Sequence, residues 1–491
     1  MIWRRHLSTG QGYKKISIVG SGPAGFFTAY HLLNKSKIPI HVTVWEKLPT
    51  PFGLSRYGVA PDHPEVKNCE ETFTECARKF ISDKHHKFEF IGGVEIGNQI
   101  KLKDLLKSQD AVVLSYGCTG DKKLHIPGET DTSGVFSSRN FVNWYNGHPD
   151  IAQDPKLLDF EWSKVKNIGI IGNGNVAMDI ARILLSNRID AIWKHTDISS
   201  VALECLRNAP IENVKIIGRR DFVHSKFTNK ELRELWQLER YGIFGKIDKE
   251  YFHDGMFDLS QFDRAFKRRV EMCSEYLKPF TQRKKNFKKF PIPSPSDVYD
   301  KRTWELDYLL SPIKINKCPQ TSRLESLTLS HNKLALPENK VIKDEEKADV
   351  EYPMDLLITS LGYAGIPLEE FNALGIGFER GHVANKQGRV LTTTNDLYPK
   401  LYASGWIRKG SQGVIASTME DAFEVGDRVI QDLFVQPSTT ESFDINLGKI
   451  RHTTWADWER INRQELKNGK EEGKKRTKFL SIEDIMNSIK S

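Results

Sequence analysis

An α/β fold built from two Rossmann-like units is what this chain predicts, and three observations carry the prediction. A glycine-rich turn joins a strand-like run to a helix-like run in "ISIVGSGPAGFFTAYHLL", residues 16–33. A second such turn stands in "IIGNGNVAMDIAR", residues 170–182. After each of them strand and helix patterns alternate, and βαβ grammar implies a parallel sheet.

The elements follow in order. Strand patterns cover residues 16–20, 41–46 and 111–117, with helical patterns at 23–33 and 101–107. The grammar restarts with a strand at 167–172, a helix at 176–185 and a strand at 214–218. It breaks over residues 240–300, which are highly charged and end in "RKKNFKKFPIPSPSDVYD", a basic Pro/Ser-rich stretch that reads as surface loop. "MDLLITSLGYAG", residues 354–365, then looks like a strand returning to an earlier sheet, and it resembles "DAVVLSYGCTG" at 110–120. The second unit is therefore expected to be inserted into the first. The expected division is 15–116 with 355–491 for one domain and 117–354 for the other.

The bulk numbers fit this reading. At 491 residues the chain is too long for one core, and two or three domains are expected. Apolar residues make up 39% and charged residues 28%, with no apolar run of about 18 residues that a membrane span needs. The net charge of +8 fits nucleic acid, a basic face for an acidic partner, or a solvated surface. Six cysteines stand apart with no Cys-x-x-Cys pair, which argues against a zinc site, an internal iron–sulfur cluster and a redox dithiol. Reduced thiols in a reducing compartment follow. Residues 1–14 carry Arg4, Arg5 and Lys14 with no acid before Glu46, which reads as a short mitochondrial targeting segment.

The first turn is G-x-G-x-x-G: Gly20, Gly22 and Gly25. The glycines permit a tight turn, close backbone approach to a pyrophosphate, and close helix–strand packing, with the helix dipole facing the phosphates. Glu46 ends the next strand, where an acid accepts hydrogen bonds from both ribose hydroxyls and repels a 2′-phosphate. This site is expected to hold FAD or NAD. The Pro-rich residues 47–68 then form a stiff loop, neither strand nor helix, suited to holding a flat ring. His63 in that loop either relays protons or is an ordinary loop histidine.

The second turn is G-x-G-x-x-A, with Gly172, Asn173, Gly174, Asn175 and Val176 ahead of Ala177. The acid expected after the following strand is missing. "VKIIGRRDF" puts Arg219 and Arg220 there instead, a pair suited to a 2′-phosphate and hence to NADPH. FAD and NADPH on one chain imply hydride transfer from nicotinamide to flavin.

At this point "PFGLSRYGVAPDHPEVKN", "GNGNVAMDIAR", "FTNKELREL" and "YASGWIRKGSQGVIASTMEDAF" resemble the mitochondrial adrenodoxin reductase family, from about residue 16 to "TTWADWERIN". The resemblance implies two Rossmann-like dinucleotide-binding domains, the NADPH domain inserted into the FAD domain. It implies FAD contacts at Ala24, Glu46, Leu54, Val94, Trp406, Gly413, Val414 and Ile415. It implies NADPH contacts at Asn173 to Val176, Arg219, Arg220, Glu231 and Gly413. Without it, Trp406 reads as core packing. Residues 413–420 also read directly as a glycine turn opening a helix, whose N-terminus favours negative charge.

The implied chemistry is hydride from NADPH to FAD and single electrons onward to an acidic mitochondrial [2Fe–2S] ferredoxin. Iron–sulfur cluster assembly, haem or ubiquinone synthesis and steroid hydroxylation are the implied uses. His63 and Asp179 are expected to pair near the flavin and manage protons. Docking an acidic ferredoxin needs a basic face. "RAFKRR", with Arg264, Lys267, Arg268 and Arg269, is preferred over "RKKNFKK" (283–289), because a helix holds charges in register. A disulfide reductase would need the dithiol that is absent. A flavin monooxygenase would consume NADPH without a protein acceptor and release peroxide. Nucleic-acid binding has little support, since the basic segments lack interleaved aromatics.

Overall fold

The computed structural model describes residues 12–293, 301–413, 415–435 and 445–490. Most of the expected targeting segment, Val414 and the end of the Pro/Ser-rich stretch therefore lie outside the described residues. The chain divides into two compact units, residues 1–120 with 363–491, and residues 121–362. The fold is α/β with two Rossmann-like domains, the second carried as an insertion in the first.

The first unit holds a seven-stranded sheet. Lys14–Val19 lies at its heart, flanked in parallel by Ile40–Glu46 and Ala111–Leu114. Lys87–Gly92 extends one side and Leu397–Ala403 the other, both parallel. Val, Ile and Ala fill these strands as near-continuous apolar runs because helices cover both faces. Phe26, Leu32, Phe73 and Trp458 belong to one covering layer, and Leu102, Leu105 and Ile407 to the other.

The second unit holds a six-stranded sheet in the order Val135–Ser137, Leu356–Thr359, Asn167–Ile171, Asn213–Ile217, Arg302–Asp307, Ile243–Ile247, parallel throughout. An antiparallel sheet of Leu310–Lys317, Leu324–Ala335, Lys340–Lys343 and Val350–Pro353 sits in the same unit.

Three expectations are corrected here. The strand within 354–365 does not return to the first sheet. Leu356–Thr359 pairs with Asn167–Ile171 and completes the second unit's own sheet, so the units divide after Gly362 and not near 354. The strand that returns to the first sheet is Leu397–Ala403, beside Ala111–Leu114. The Pro-rich loop 47–68 contains two helical turns, Leu54–Tyr57 and Pro64–Asn68. No helix among the described residues is long and apolar enough to cross a membrane.

Candidate functional site

The two glycine turns repeat each other in detail. The Gly20 N–H donates to the Trp45 carbonyl at 2.7 Å, and the Gly172 N–H to the Ile217 carbonyl at 2.8 Å. Gly20 has φ 105° and Gly172 φ 114°, a region costly for any side chain. A Cβ on Gly20 would lie 2.6 Å from the Ser115 carbonyl oxygen, and one on Gly172 2.2 Å from that of Ser360. Ser115 and Ser360 follow the strands that pair with the one leading into each glycine turn, which is why "VVLSYG" and "LITSLG" look alike.

The second glycines differ in kind. Gly22 and Gly174 have extended backbones that any residue adopts, and a Cβ on either would meet no atom within 4 Å. Protein packing therefore does not require glycine at these positions. Gly22 and Gly174 are also the N-caps of helices Pro23–Lys35 and Asn175–Leu185, with no side-chain cap and no acid in the first turn. Thr228, Asp263 and Thr454 do cap their own helices with side chains. A bare helix N-terminus beside a missing Cβ is a cradle for a pyrophosphate. The residues present thus fit a dinucleotide at both turns.

The third position explains the remaining difference. A Cβ on Gly25 would lie 2.0 Å from the Gly20 carbonyl oxygen. In the second unit Ala177 occupies that place and its methyl is fully buried.

The surroundings of the two turns are opposite in charge. Glu46 is buried, and its Oε2 accepts from the Ser21 N–H at 3.0 Å and Ser21 Oγ at 2.7 Å. Its Oε1 accepts from the Leu48 N–H at 3.0 Å. A carboxylate has about four acceptor sites, so about one remains for a ligand hydroxyl. The acid therefore also staples its own loop.

Arg219 is exposed and Arg220 half-buried, and neither guanidinium is bonded to another group among the described residues. The neighbouring Asp221 carboxylate is occupied, with His224 Nδ1 at 2.6 Å and the His224 N–H at 3.2 Å.

The other expected contacts fall as follows. Leu54 opens the turn Leu54–Tyr57, and Val94 is buried with its N–H on the Glu46 carbonyl at 2.9 Å. Ala24 is buried against Gly405, where an added Cβ would stand 2.4 Å from the Ala24 methyl. Trp406 borders a cavity of about 290 Å³ shared with Gln412, Ser417 and Thr418. Gly413 is exposed with φ 85°, and Ile415 begins the helix Ile415–Val435.

In the second unit the Asn175 Oδ1 accepts from the Thr228 N–H at 2.8 Å, and the Asn173 carbonyl from the Lys226 N–H at 3.1 Å. Glu231 and Asp179 both bind Arg182, at 3.2 Å and 2.7 Å. His63 is buried in the first unit, where its N–H donates to the Ala60 carbonyl at 3.0 Å.

The basic cluster needs correction. Helix Arg264–Leu277 forms, with Arg264, Lys267 and Arg268 exposed. Arg269 is three residues after buried Phe266 and four before buried Cys273, so helical periodicity turns it inward. Its guanidinium donates to the carbonyls of Ser225 at 3.3 Å and Phe227 at 3.1 Å and stacks on the Phe227 ring. Burial lowers its affinity for the proton. Arg283 of the second basic run is likewise structural, with both Glu239 oxygens 2.7 Å away.

Residues 18–87 match the NAD(P)-binding Rossmann-like domain family. A probable mitochondrial NADPH:adrenodoxin oxidoreductase of Saccharomyces cerevisiae is 64% identical over 99% of this chain and 98% of its own length. The chain belongs to the NADPH:adrenodoxin oxidoreductase family. The human mitochondrial NADPH:adrenodoxin oxidoreductase is 35% identical, with 98% of this chain and 93% of that protein covered. The structure of Mycobacterium tuberculosis FprA in complex with NADPH matches with a TM-score of 0.83 at 31% identity, covering 98% of this chain and 100% of that one.

Ser21, Ser115, Ser360 and Arg182 make contacts at the two turns that the motifs alone do not single out. The repeated Ser before the glycine in "VVLSYG" and "LITSLG" was a usable signal for Ser115 and Ser360. The i, i+3 spacing of Asp179 and Arg182 on one helix is a usable signal for that pair, whereas Glu231 is remote in sequence and carries none.

Proposed function

We propose that this chain is an FAD-dependent NADPH:adrenodoxin oxidoreductase of the mitochondrion, passing electrons from NADPH to an acidic [2Fe–2S] ferredoxin of the adrenodoxin type. The observation that carries the reading is the pair of matched cradles with opposite surroundings, buried Glu46 at one and the two unbonded arginines at the other. FAD, when bound, supplies the conversion of a two-electron donor into single electrons.

The chain's own residues do the rest. Gly22 and the bare start of helix Pro23–Lys35 take the FAD pyrophosphate, and Glu46 orders the loop and repels a 2′-phosphate. Leu54, Val94, Trp406, Gly413 and Ile415 line the flavin side. Gly174 and the start of helix Asn175–Leu185 take the NADPH pyrophosphate, and Arg219 and Arg220 select its 2′-phosphate. His63 and Asp179 are assigned the handling of the proton, and Arg182, with Nη2 2.7 Å from the Asp179 carboxylate, keeps that side chain in place. His63→Gln and Asp179→Asn are expected to flatten the pH profile of NADPH oxidation by ferricyanide. An unchanged profile in both would leave them a structural role only.

Docking falls to Arg264, Lys267 and Arg268. Neutralising Arg264 and Arg268 together is expected to raise the ferredoxin KM about tenfold and weaken its salt dependence, with ferricyanide reduction unaffected. Arg269→Ala instead lowers thermal stability and leaves that KM near its starting value. The function itself is tested by NADPH-driven cytochrome c reduction. It should depend on added [2Fe–2S] ferredoxin, and equal rates without ferredoxin would overturn the reading.

A further inference from the structure

The segment that carries the arginine pair is gripped by the end of the neighbouring strand Arg302–Asp307 and by the antiparallel sheet that follows it. The Gly218 N–H donates to the Asp307 carbonyl at 2.8 Å. The Gly218 carbonyl accepts from the Leu310 N–H at 3.2 Å, and the Arg220 carbonyl from the Leu309 N–H at 3.2 Å. The carbonyl between them, that of Arg219, accepts from a side chain: Asn332 Nδ2 at 2.9 Å. The second hydrogen of the same amide reaches Ser311 Oγ at 2.8 Å. The Asn332 N–H in turn donates to the Leu309 carbonyl at 2.7 Å.

Two features of this grip are costly. Asn332 is a buried amide, 6% exposed, whose burial is offset only by the hydrogen bonds it makes here. Leu309 has φ 53°, in the left-handed region that a leucine rarely adopts. Strain of this kind persists only where the surroundings over-determine it, and it concentrates at functional sites. Both residues converge on the carbonyls of Arg219 and Arg220. With their backbone fixed, the two guanidiniums begin from a defined position and lose less freedom on meeting a phosphate.

We propose that Asn332, seated by Ser311 and by the strained turn at Leu309, is a positioning residue for discrimination between NADPH and NADH. It touches no cofactor. It fixes the main chain from which Arg219 and Arg220 reach the 2′-phosphate. The inference rests on those arginines being the 2′-phosphate readers, as set out above.

The test is binding of adenosine 2′,5′-bisphosphate to the FAD-loaded enzyme by titration calorimetry, alongside kcat and KM with NADPH and NADH. Asn332→Leu keeps the branched side-chain shape and removes the donor, and its affinity for the bisphosphate should fall about three- to tenfold. The NADPH KM should rise by the same factor, with kcat and the NADH KM little changed. Ser311→Ala, a milder change at a half-buried position, should act in the same direction by about twofold. It also decides the matter should Asn332→Leu fail to fold. Arg219→Ala and Arg220→Ala serve as references and should lose more. Undiminished bisphosphate affinity in the Asn332 and Ser311 variants, or equal losses with NADPH and NADH, would overturn the proposal while the arginine variants still lost selectivity. Should the arginine variants themselves keep full selectivity, the assignment of the readers falls, and the positioning role falls with it.

Discussion

Glu465→Ala is expected to cost the first unit about 3–5 kcal/mol of stability and to loosen FAD at the same time. Glu465 is fully buried on helix Trp455–Glu471, with Arg56 Nη2 2.5 Å from Oε1 and 2.7 Å from Oε2. Arg476 Nη1 lies 2.8 Å from Oε2, and the Phe479 N–H donates to Oε1 at 3.2 Å. Arg56 is itself buried, packed between the rings of Tyr57 and Trp458. Removing the carboxylate strands a guanidinium that water cannot reach, and the desolvation already incurred is no longer offset. Arg56 lies in the turn Leu54–Tyr57, which also presents Leu54, so the damage should reach the loop proposed to hold the flavin. Thermal unfolding followed with FAD fluorescence checks both effects. Replacing both partners, with Arg56→Met and Glu465→Leu, should recover a large part of the loss. A single variant as stable as the parent would refute the clamp.

The same pair sets a pH dependence. Burial alone would raise the Glu465 carboxyl, but the charges of Arg56 and Arg476 outweigh it and hold the group below its ordinary value. A carboxyl depressed in the folded state contributes stability that is present above its unfolded pKa and lost as pH falls through the folded one. Acid should therefore release FAD from the parent below about pH 4. The doubly apolar variant should show a smaller acid-induced loss.

How much of this was legible in the sequence depends on how local each cause is. The glycine turns were readable because strand, turn and helix lie within about twenty residues, and each glycine has its own steric reason. The opposed ends, Glu46 and Arg219–Arg220, were readable because they follow the next strand in each unit. The apolar run at Leu356–Thr359 predicts a strand but not the sheet it joins. An apolar run states that it is buried, and its partners are chosen by the three-dimensional closure of the sheet. Arg269 was misplaced for a simpler reason. Its charge suggested surface, yet Phe266 and Cys273 on either side already set the buried face of the helix. Glu465 and Asn332 were invisible because their partners, Arg56 and Arg219, are remote in sequence. No periodicity encodes such a pairing.

The sharpest separation of fold from function lies in two glycines of one turn. Gly172→Ala should destabilise the second unit by about 3 kcal/mol or more, since the new methyl meets a backbone carbonyl and φ 114° is strained for alanine. Gly174→Ala should leave stability within about 0.5 kcal/mol, because its backbone suits alanine and the methyl meets no atom of the protein. Yet that methyl projects where main-chain N–H groups must approach a pyrophosphate. The kcat/KM with NADPH should fall on the order of a hundredfold, and the loss should appear in KM first. Gly20 and Gly22 divide in the same way, with FAD content as the readout for Gly22→Ala. Steady-state kinetics and thermal melts on the two single variants suffice. If Gly174→Ala melted early and bound NADPH normally, the open side of the turn would be a packing feature and not a cofactor cradle. A glycine that the fold does not need, at a helix start that no side chain caps, is otherwise hard to account for except by a ligand that fills the space.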